Sequence, residues 1–282
     1  MTVDLVLLVL CAAALNASWN ALVKVSGDRI AVMAIIALAG AVLSFVLVPF
    51  VGFPDPACWP FLIAAIVLHT AYHFMLPIAY NYGDLGQVYP IARGSAPLLV
   101  TAAAFVFAGE TLGFIPLLGV ICLAVGVMAL SFDQGTGITK NPRSVLFALA
   151  TGVCIASYTM VDGLGARQTS SAMSFAVWLT IGDGLLTFLI ALPWKRRAIV
   201  SVARSGLVLP GIAAVMQVGA YWIAVWALAH APLGMVSALR ETSVLFAAAI
   251  SVLILKEGLG VWRFISAALV VCGIALTRIK QN

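Results

Sequence analysis

Ten apolar stretches, each long enough to cross a lipid bilayer, dominate this 282-residue chain. They run near residues 3–24, 30–51, 57–80, 86–108, 112–132, 144–163, 172–192, 207–229, 233–255 and 259–278. A spanning helix uses roughly 20 mostly apolar residues, so ten of them take about 200 and leave about 80 for loops and ends. No soluble catalytic domain fits in that remainder. With 63% hydrophobic and 9% charged residues, the chain also lacks the polar surface of a soluble globule. The runs are too long for barrel strands and do not alternate apolar with polar residues, which leaves helices as the spanning element. The sequence therefore predicts an all-α, multi-pass membrane protein partnered by the lipid bilayer.

The polar loop from Asp133 to Arg143 divides the spans five and five, giving units 1–132 and 144–282 with a linker at 133–143. The units resemble each other. At a shift of 147 positions, Arg93, Ser95, Leu98, Glu110, Leu112 and Gly126 fall on Arg240, Thr242, Leu245, Glu257, Leu259 and Gly273. Other shifts match Ala17-Ser18-Trp19 with Ala156-Ser157-Tyr158, and Ala71-Tyr72 with Ala220-Tyr221. A repeat of five spans must enter the membrane in opposite senses, which predicts two inverted bundles around a central cavity.

Ten loop cations, from Lys24 and Arg29 through Lys195-Arg196-Arg197 to Lys256 and Arg263, fall on one side against Arg167, Arg278 and Lys280 on the other. That bias predicts external termini and a location in the cell's plasma (inner) membrane. No basic run interleaved with aromatics suggests nucleic acid as a partner. The five cysteines lack paired spacing, and His69 with His73 at i, i+4 has neither an HExxH context nor further ligands nearby. Neither cofactor nor metal is expected.

Ionisable groups within spans are costly unless they face a cavity or a partner. Arg93 and Arg240 sit at repeat-equivalent positions and suit a carboxylate or phosphate. The alternative is purely structural, with Arg240 paired to Asp162 or Asp183 and Arg93 tied to carbonyls. Glu241 suits a coupling proton or a structural pair. Asn16, Asn20 and Lys24 recur every four residues beside Trp19, forming a polar stripe. Cys154, Tyr158 and Asp162 form its counterpart on the sixth span. Tyr72, His73, Tyr89, Tyr221 and Trp222 complete the substrate-binding set, Gln217 lies one turn before Tyr221, and Pro97 gives the fourth span a place to flex. Gly119, Gly126 and Gly273 read as close helix contacts.

The segments Asn16-Ala17-Ser18-Trp19-Asn20-Ala21-Leu22-Val23-Lys24, Tyr89-Pro90-Ile91-Ala92-Arg93-Gly94 and Leu239-Arg240-Glu241-Thr242-Ser243-Val244 make the chain resemble the EamA branch of the drug/metabolite transporter superfamily. The Gly109-Glu110-x-Leu112 and Lys256-Glu257-x-Leu259 steps are similar to that family's repeat ends. The resemblance implies two five-helix bundles around a cavity and the movement of small metabolites, usually outward. A first-helix glutamate serves the small multidrug relatives, whereas here that helix carries only Asp4 near its start. Family members usually place both termini in the cytoplasm, against the cation count. The resulting reading is a secondary transporter, exporter or exchanger, of a small polar, anionic or zwitterionic metabolite, acting as a monomer or homodimer. A flippase for a lipid-linked or phosphorylated headgroup is the alternative within transport. An intramembrane enzyme using Asp162 and Asp183 as a proton-sharing pair is the alternative outside it, though GxGD, GxSxG and nucleotide-loop patterns are missing.

Overall fold

In hydrocarbon no water satisfies backbone N–H and C=O groups, so each apolar run closes its own hydrogen bonds as a helix. The computed structural model describes residues 2–24, 28–79, 85–132, 142–255 and 260–279. Its helices are α1 (Val3–Lys24), α2 (Arg29–Val51), α3 (Trp59–Ala79), α4 (Leu85–Phe107), α5 (Phe114–Ala129), α6 (Pro142–Ala166), α7 (Ala172–Ser205), α8 (Val208–His230), α9 (Leu233–Arg240), α10 (Ser243–Leu255) and α11 (Val261–Arg278). Together they supply ten segments able to span a membrane, and no strand occurs among the described residues. The expected breaks at Ser26-Gly27 and Gly83-Asp84, the linker up to residue 141, and Lys256, Glu257 and Leu259 lie outside the described residues.

Two spans differ from their sequence-based bounds. The seventh does not end in a loop at 192: helix runs to a kink at Lys195 and resumes to Ser205, so Arg196-Arg197 is helical rather than a loop. Lys195 itself is non-helical (φ −118°, ψ 17°), and Pro193, two positions earlier, removes one hydrogen bond from the turn that precedes the kink. The ninth span is not one helix either: it breaks at Glu241 and Thr242 into α9 and α10. There the amide of Thr242 bonds Leu239 O at 3.2 Å, a tightened i to i+3 contact, while its hydroxyl donates to the same carbonyl at 2.7 Å. At the start of the second unit, Pro142 and Arg143 belong to α6 and not to the linker.

The packing is reciprocal between the units. α2 lies along α7 and α5 along α11; α1 packs on α8 as α3 packs on α6, and α4 packs on α6 as α1 packs on α9 and α10. Glycines allow the two like-with-like pairs to close. A Cβ on Gly119 would stand 2.9 Å from Gly273 O, and one on Gly273 would stand 2.8 Å from Gly119 O. In the other pair, a Cβ on Gly184 would collide with the Ala37 carbonyl. Phe45, Phe50, Phe105 and Phe107 are exposed on the outer surface, as lipid contact requires.

Polar clasps join loops at the two ends of the bundle. At one end Lys195 Nζ donates to Asp28 Oδ2 at 2.8 Å, while Asp28 Oδ1 caps α2 through the amides of Ile30 and Ala31. The ammonium, with those amides, holds the Asp28 carboxyl below its ordinary range. At the other end the Ser170 amide and the Thr169 hydroxyl donate to Asp55, lowering its pKa in the same way. Beside it Glu110 accepts from Arg167 Nη1 at 2.6 Å and from the Leu233 amide at 2.8 Å, so it caps the start of α9. Arg167 also donates to Leu228 O and Ala231 O.

The α5–α11 contact sets a test of the packing. Gly273→Leu is expected to destabilise the protein by about 1–3 kcal/mol or block folding, whereas lipid-facing Val271→Leu leaves melting temperature nearly unchanged. Thermal melts of both purified variants check this.

Candidate functional site

A cavity of about 100 Å³ opens among the helices of both units. α1 contributes Asn16, Trp19 and Asn20, and the i, i+4 spacing of the two asparagines keeps both on one face. Asn20 Nδ2 donates to Asn16 O at 2.7 Å, and Trp19 Nε1 donates to Asn16 Oδ1 at 3.1 Å, so the stripe is braced within its own helix. The side chain of Lys24, third in that stripe, lies outside the described residues. α3 brings His69, Tyr72 and His73; α6 brings Tyr158; α7 brings Thr180 and Asp183; α8 brings Gln217 and Tyr221. Arg93 and Arg240 complete the polar lining from α4 and α9.

The two arginines are equivalent in the repeat but differ in their surroundings. Arg93 is buried, with its Nε 3.0 Å from Glu241 Oε2 and its Nη1 donating to Glu241 Oε1 at 3.4 Å. Its Nη2 donates to Ser243 Oγ at 3.3 Å, and the guanidinium lies 5.4 Å from the Tyr89 ring centroid. The Nε–H is not aimed at Oε2, so that short contact is Coulombic attraction more than a directed hydrogen bond. The partner expected for Arg240, Asp162 or Asp183, is absent. Arg240 makes no hydrogen bond or ion pair with any described residue, while Arg93 is the arginine that is neutralised, by an acid and not by carbonyls.

The break between α9 and α10 produces this difference. In one continuous helix Glu241 would point about 100° around the axis from Arg240, with its next turn fixed behind it. At the break, Glu241 is the C-terminal cap of α9 and Ser243 the first residue of α10, and both reach Arg93 on α4. The first and second units are thus joined by a buried ion pair.

The acids expected as a pair are held apart by different partners. Asp162 Oδ2 lies 2.9 Å from His69 Nε2 and accepts from Tyr221 OH at 3.0 Å. Asp183 Oδ1 accepts from the hydroxyls of Thr70 at 3.0 Å and Thr187 at 3.2 Å, and lies 3.5 Å from His73 Nδ1. A proton-sharing carboxylate dyad is not formed. The two histidines likewise engage separate acids, and no His, Cys, Asp and Glu grouping fit for a metal occurs among the described residues.

Of the eleven residues expected to bind substrate, Tyr89 and Trp222 stand behind the cavity wall. Tyr89 packs on Arg93, and Trp222 Nε1 donates to Thr180 Oγ1 at 3.1 Å. Glu241 and Pro97 are also outside the lining. Thr180 had no sequence signal, being one hydroxyl in an apolar span. Asp183 and His69 were visible as intramembrane ionisable groups, but only the packing brings them to the same space as Arg240.

Residues 142–279 match the model of the EamA-like transporter family. The second half of the chain belongs to this family. EamA members are membrane transporters, and a multi-pass membrane protein is what the ten apolar helices form. In fold, the chain is similar over both halves to a solved structure titled only "Crystal structure of protein", which superposes with a TM-score of 0.76 at 17% identity, covering 97% of this chain and 98% of the other. No curated protein matches the chain.

The unequal arginines yield a stability test for this EamA-like protein. Arg93→Leu strands the Glu241 charge in the interior and is expected to cost about 3–5 kcal/mol, read as a large fall in melting temperature. A double Arg93→Met, Glu241→Met variant recovers most of that loss. Arg240→Gln, which breaks no described contact, melts close to the parent.

Proposed function

We propose that this protein is a secondary transporter that carries a small anionic or zwitterionic metabolite by alternating access, outward or in exchange. One observation carries the reading: the residues matched by the internal repeat, Trp19 with Tyr158, Tyr72 with Tyr221 and Arg93 with Arg240, all line one cavity. Packing that survives exchange of the units supports an inverted repeat about an axis in the membrane plane, because five spans per unit reverse the direction of entry. Such a pair of units supplies two gates around a midplane site. The Arg93–Glu241 pair is the contact that gating must loosen, with Pro97 in α4 and the α9–α10 break as the flexing points.

The substrate class follows from charge. Arg240 offers an unpaired planar guanidinium that can grip a carboxylate with two parallel hydrogen bonds. Asp183, on the same cavity, offers an acceptor for an ammonium group. Both signs in one space favour a zwitterion. Asn16, Asn20 and Gln217 add neutral hydrogen-bonding groups, and Tyr72, Tyr158 and Trp19 add aromatic walls.

Uptake of a panel of labelled amino and carboxylic acids into proteoliposomes tests this. For the compound carried, Arg240→Lys weakens uptake at low concentration and Arg240→Ala weakens it further, both with near-parent melting temperature. Normal uptake by a well-folded Arg240→Ala variant overturns the anion-binding role.

The cation bias, together with the clasp between Asp28 at the start of α2 and Lys195 at the kink of α7 on the cation-rich side, supports external termini in the plasma membrane. A C-terminal alkaline phosphatase fusion should be active outside the cytoplasm. A C-terminal fluorescent fusion that matures only in the cytoplasm should stay dark, and a bright one reverses the orientation.

A further inference from the structure

The cavity is short of one positive charge. Arg93 is matched by Glu241, and Arg240 can balance one carboxylate, yet both Asp162 and Asp183 are present. Asp162 is fully buried, and its Oδ1 has no hydrogen-bond partner among the described residues. A buried carboxylate held in this way is costly as an isolated anion and cheap when a proton turns the His69–Asp162 contact into an imidazolium–carboxylate pair.

We propose that His69, Asp162 and Tyr221 form a proton-binding centre through which transport is coupled to a proton. The proposal rests on the transporter reading and adds its coupling ion. The geometry is that of a shared proton site: His69 Nε2 at 2.9 Å and Tyr221 OH at 3.0 Å converge on the single oxygen Asp162 Oδ2, and the two donors are 3.4 Å apart. His69 and Tyr221 line the cavity, while Asp162 stays behind them.

The groups facing His69 come from every neighbouring helix. α6 presents Asp162 and Tyr158, whose ring centroid lies 4.2 Å from the imidazole; α8 presents Tyr221. Asp183 of α7 and Arg240 of α9 act on it electrostatically, and His73 lies one turn away on α3. His73 Nδ1 sits 3.1 Å from Thr187 Oγ1 and 3.5 Å from Asp183 Oδ1. Two carboxylates and one guanidinium therefore act on His69.

The location supplies the coupling. α3 belongs to the first unit, and α6 and α8 to the second, so the proton sits at the interface between units. Protonation draws α3 towards α6; loss of the proton removes that attraction and leaves Asp162 uncompensated. Arg240 repels the proton when empty and ceases to do so when a substrate carboxylate covers it. Substrate and proton therefore strengthen each other's binding, which links their movements.

Two substrate-free measurements on the full chain test the centre. In nanodiscs with 15N-labelled histidine, the three imidazoles are assigned by His73→Gln and His230→Gln. His69 should change protonation state between about pH 5 and 8, and Asp162→Asn should weaken its proton binding roughly tenfold while His230 is unmoved. Tyr221→Phe, a milder change, should give a smaller shift and supplies the answer if Asp162→Asn does not fold. A His69 resonance fixed in one state from about pH 5 to 9, or one blind to both substitutions, overturns the centre.

For coupling, Asn16→Cys in a background lacking the five native cysteines is labelled in vesicles with an impermeant maleimide. The labelling rate, corrected for the pH dependence of a free thiol, should differ several-fold between about pH 6 and 8, and Tyr221→Phe should displace that dependence along the pH axis. A corrected rate independent of pH overturns the coupling. An empty substrate screen would count against the transporter reading alone, since neither measurement here uses a substrate.

Discussion

A guanidinium in the middle of a bilayer needs a counter-charge, and Arg93 finds one across the molecule in Glu241. Much of the architecture around it is arranged to make that meeting possible. The ninth span gives up its continuous helix at Glu241 and Thr242, and the freed turn sends Glu241 and Ser243 to α4. The cost of interrupting a helix in a membrane is contained because Thr242 re-bonds Leu239 O through both its amide and its hydroxyl, and because the break is buried in protein. Gly94 lies against α5, where a Cβ would crowd Met128 and the Ala124 carbonyl, so α4 can carry Arg93 close to its neighbours.

Once Arg93 is neutralised, the polar groups in the cavity divide into separate sets. Asp162 belongs to His69 and Tyr221, Asp183 to Thr70, Thr187 and His73, and Arg240 has no hydrogen-bond or ion-pair partner among the described residues. Apart from the Asp183–Thr187 bond within α7, those contacts cross between helices that are distant in sequence. The same rule that makes a buried charge costly therefore makes the cavity specific: each side chain is either satisfied by a particular neighbour or left available to a solute.

The ends of the bundle follow a different logic. Asp28 with Lys195, Asp55 with Ser170 and Glu110 with Arg167 are boundary clasps in which carboxylates cap helix starts or hold cations near the surface. Glu110 stood in the sequence as one of the repeat-end residues resembling the EamA family. Its place is explained by the amide of Leu233, an unsatisfied donor at the start of α9.

Span number and the polar faces of α1 and α6 were legible from the sequence because hydrophobic length and i, i+4 spacing are local properties. So was the equivalence of Arg93 and Arg240, carried by a constant shift of 147 residues. The inequality of those arginines was not legible, nor was the break that creates it: Thr and Ser are weak helix breakers, and nothing local distinguishes Glu241 as a partner for a residue 148 positions away. The helix that resumes after Lys195 was hidden by the polarity of Lys195-Arg196-Arg197, which reads as a loop until Ala198, Ile199 and Val202 are seen packing against α2. Composition alone required a helical membrane protein, since hydrocarbon leaves the backbone no other partner. Which charges are paired and which stay open was decided only by tertiary packing, because a counter-charge is a matter of distance in space and not of spacing along the chain.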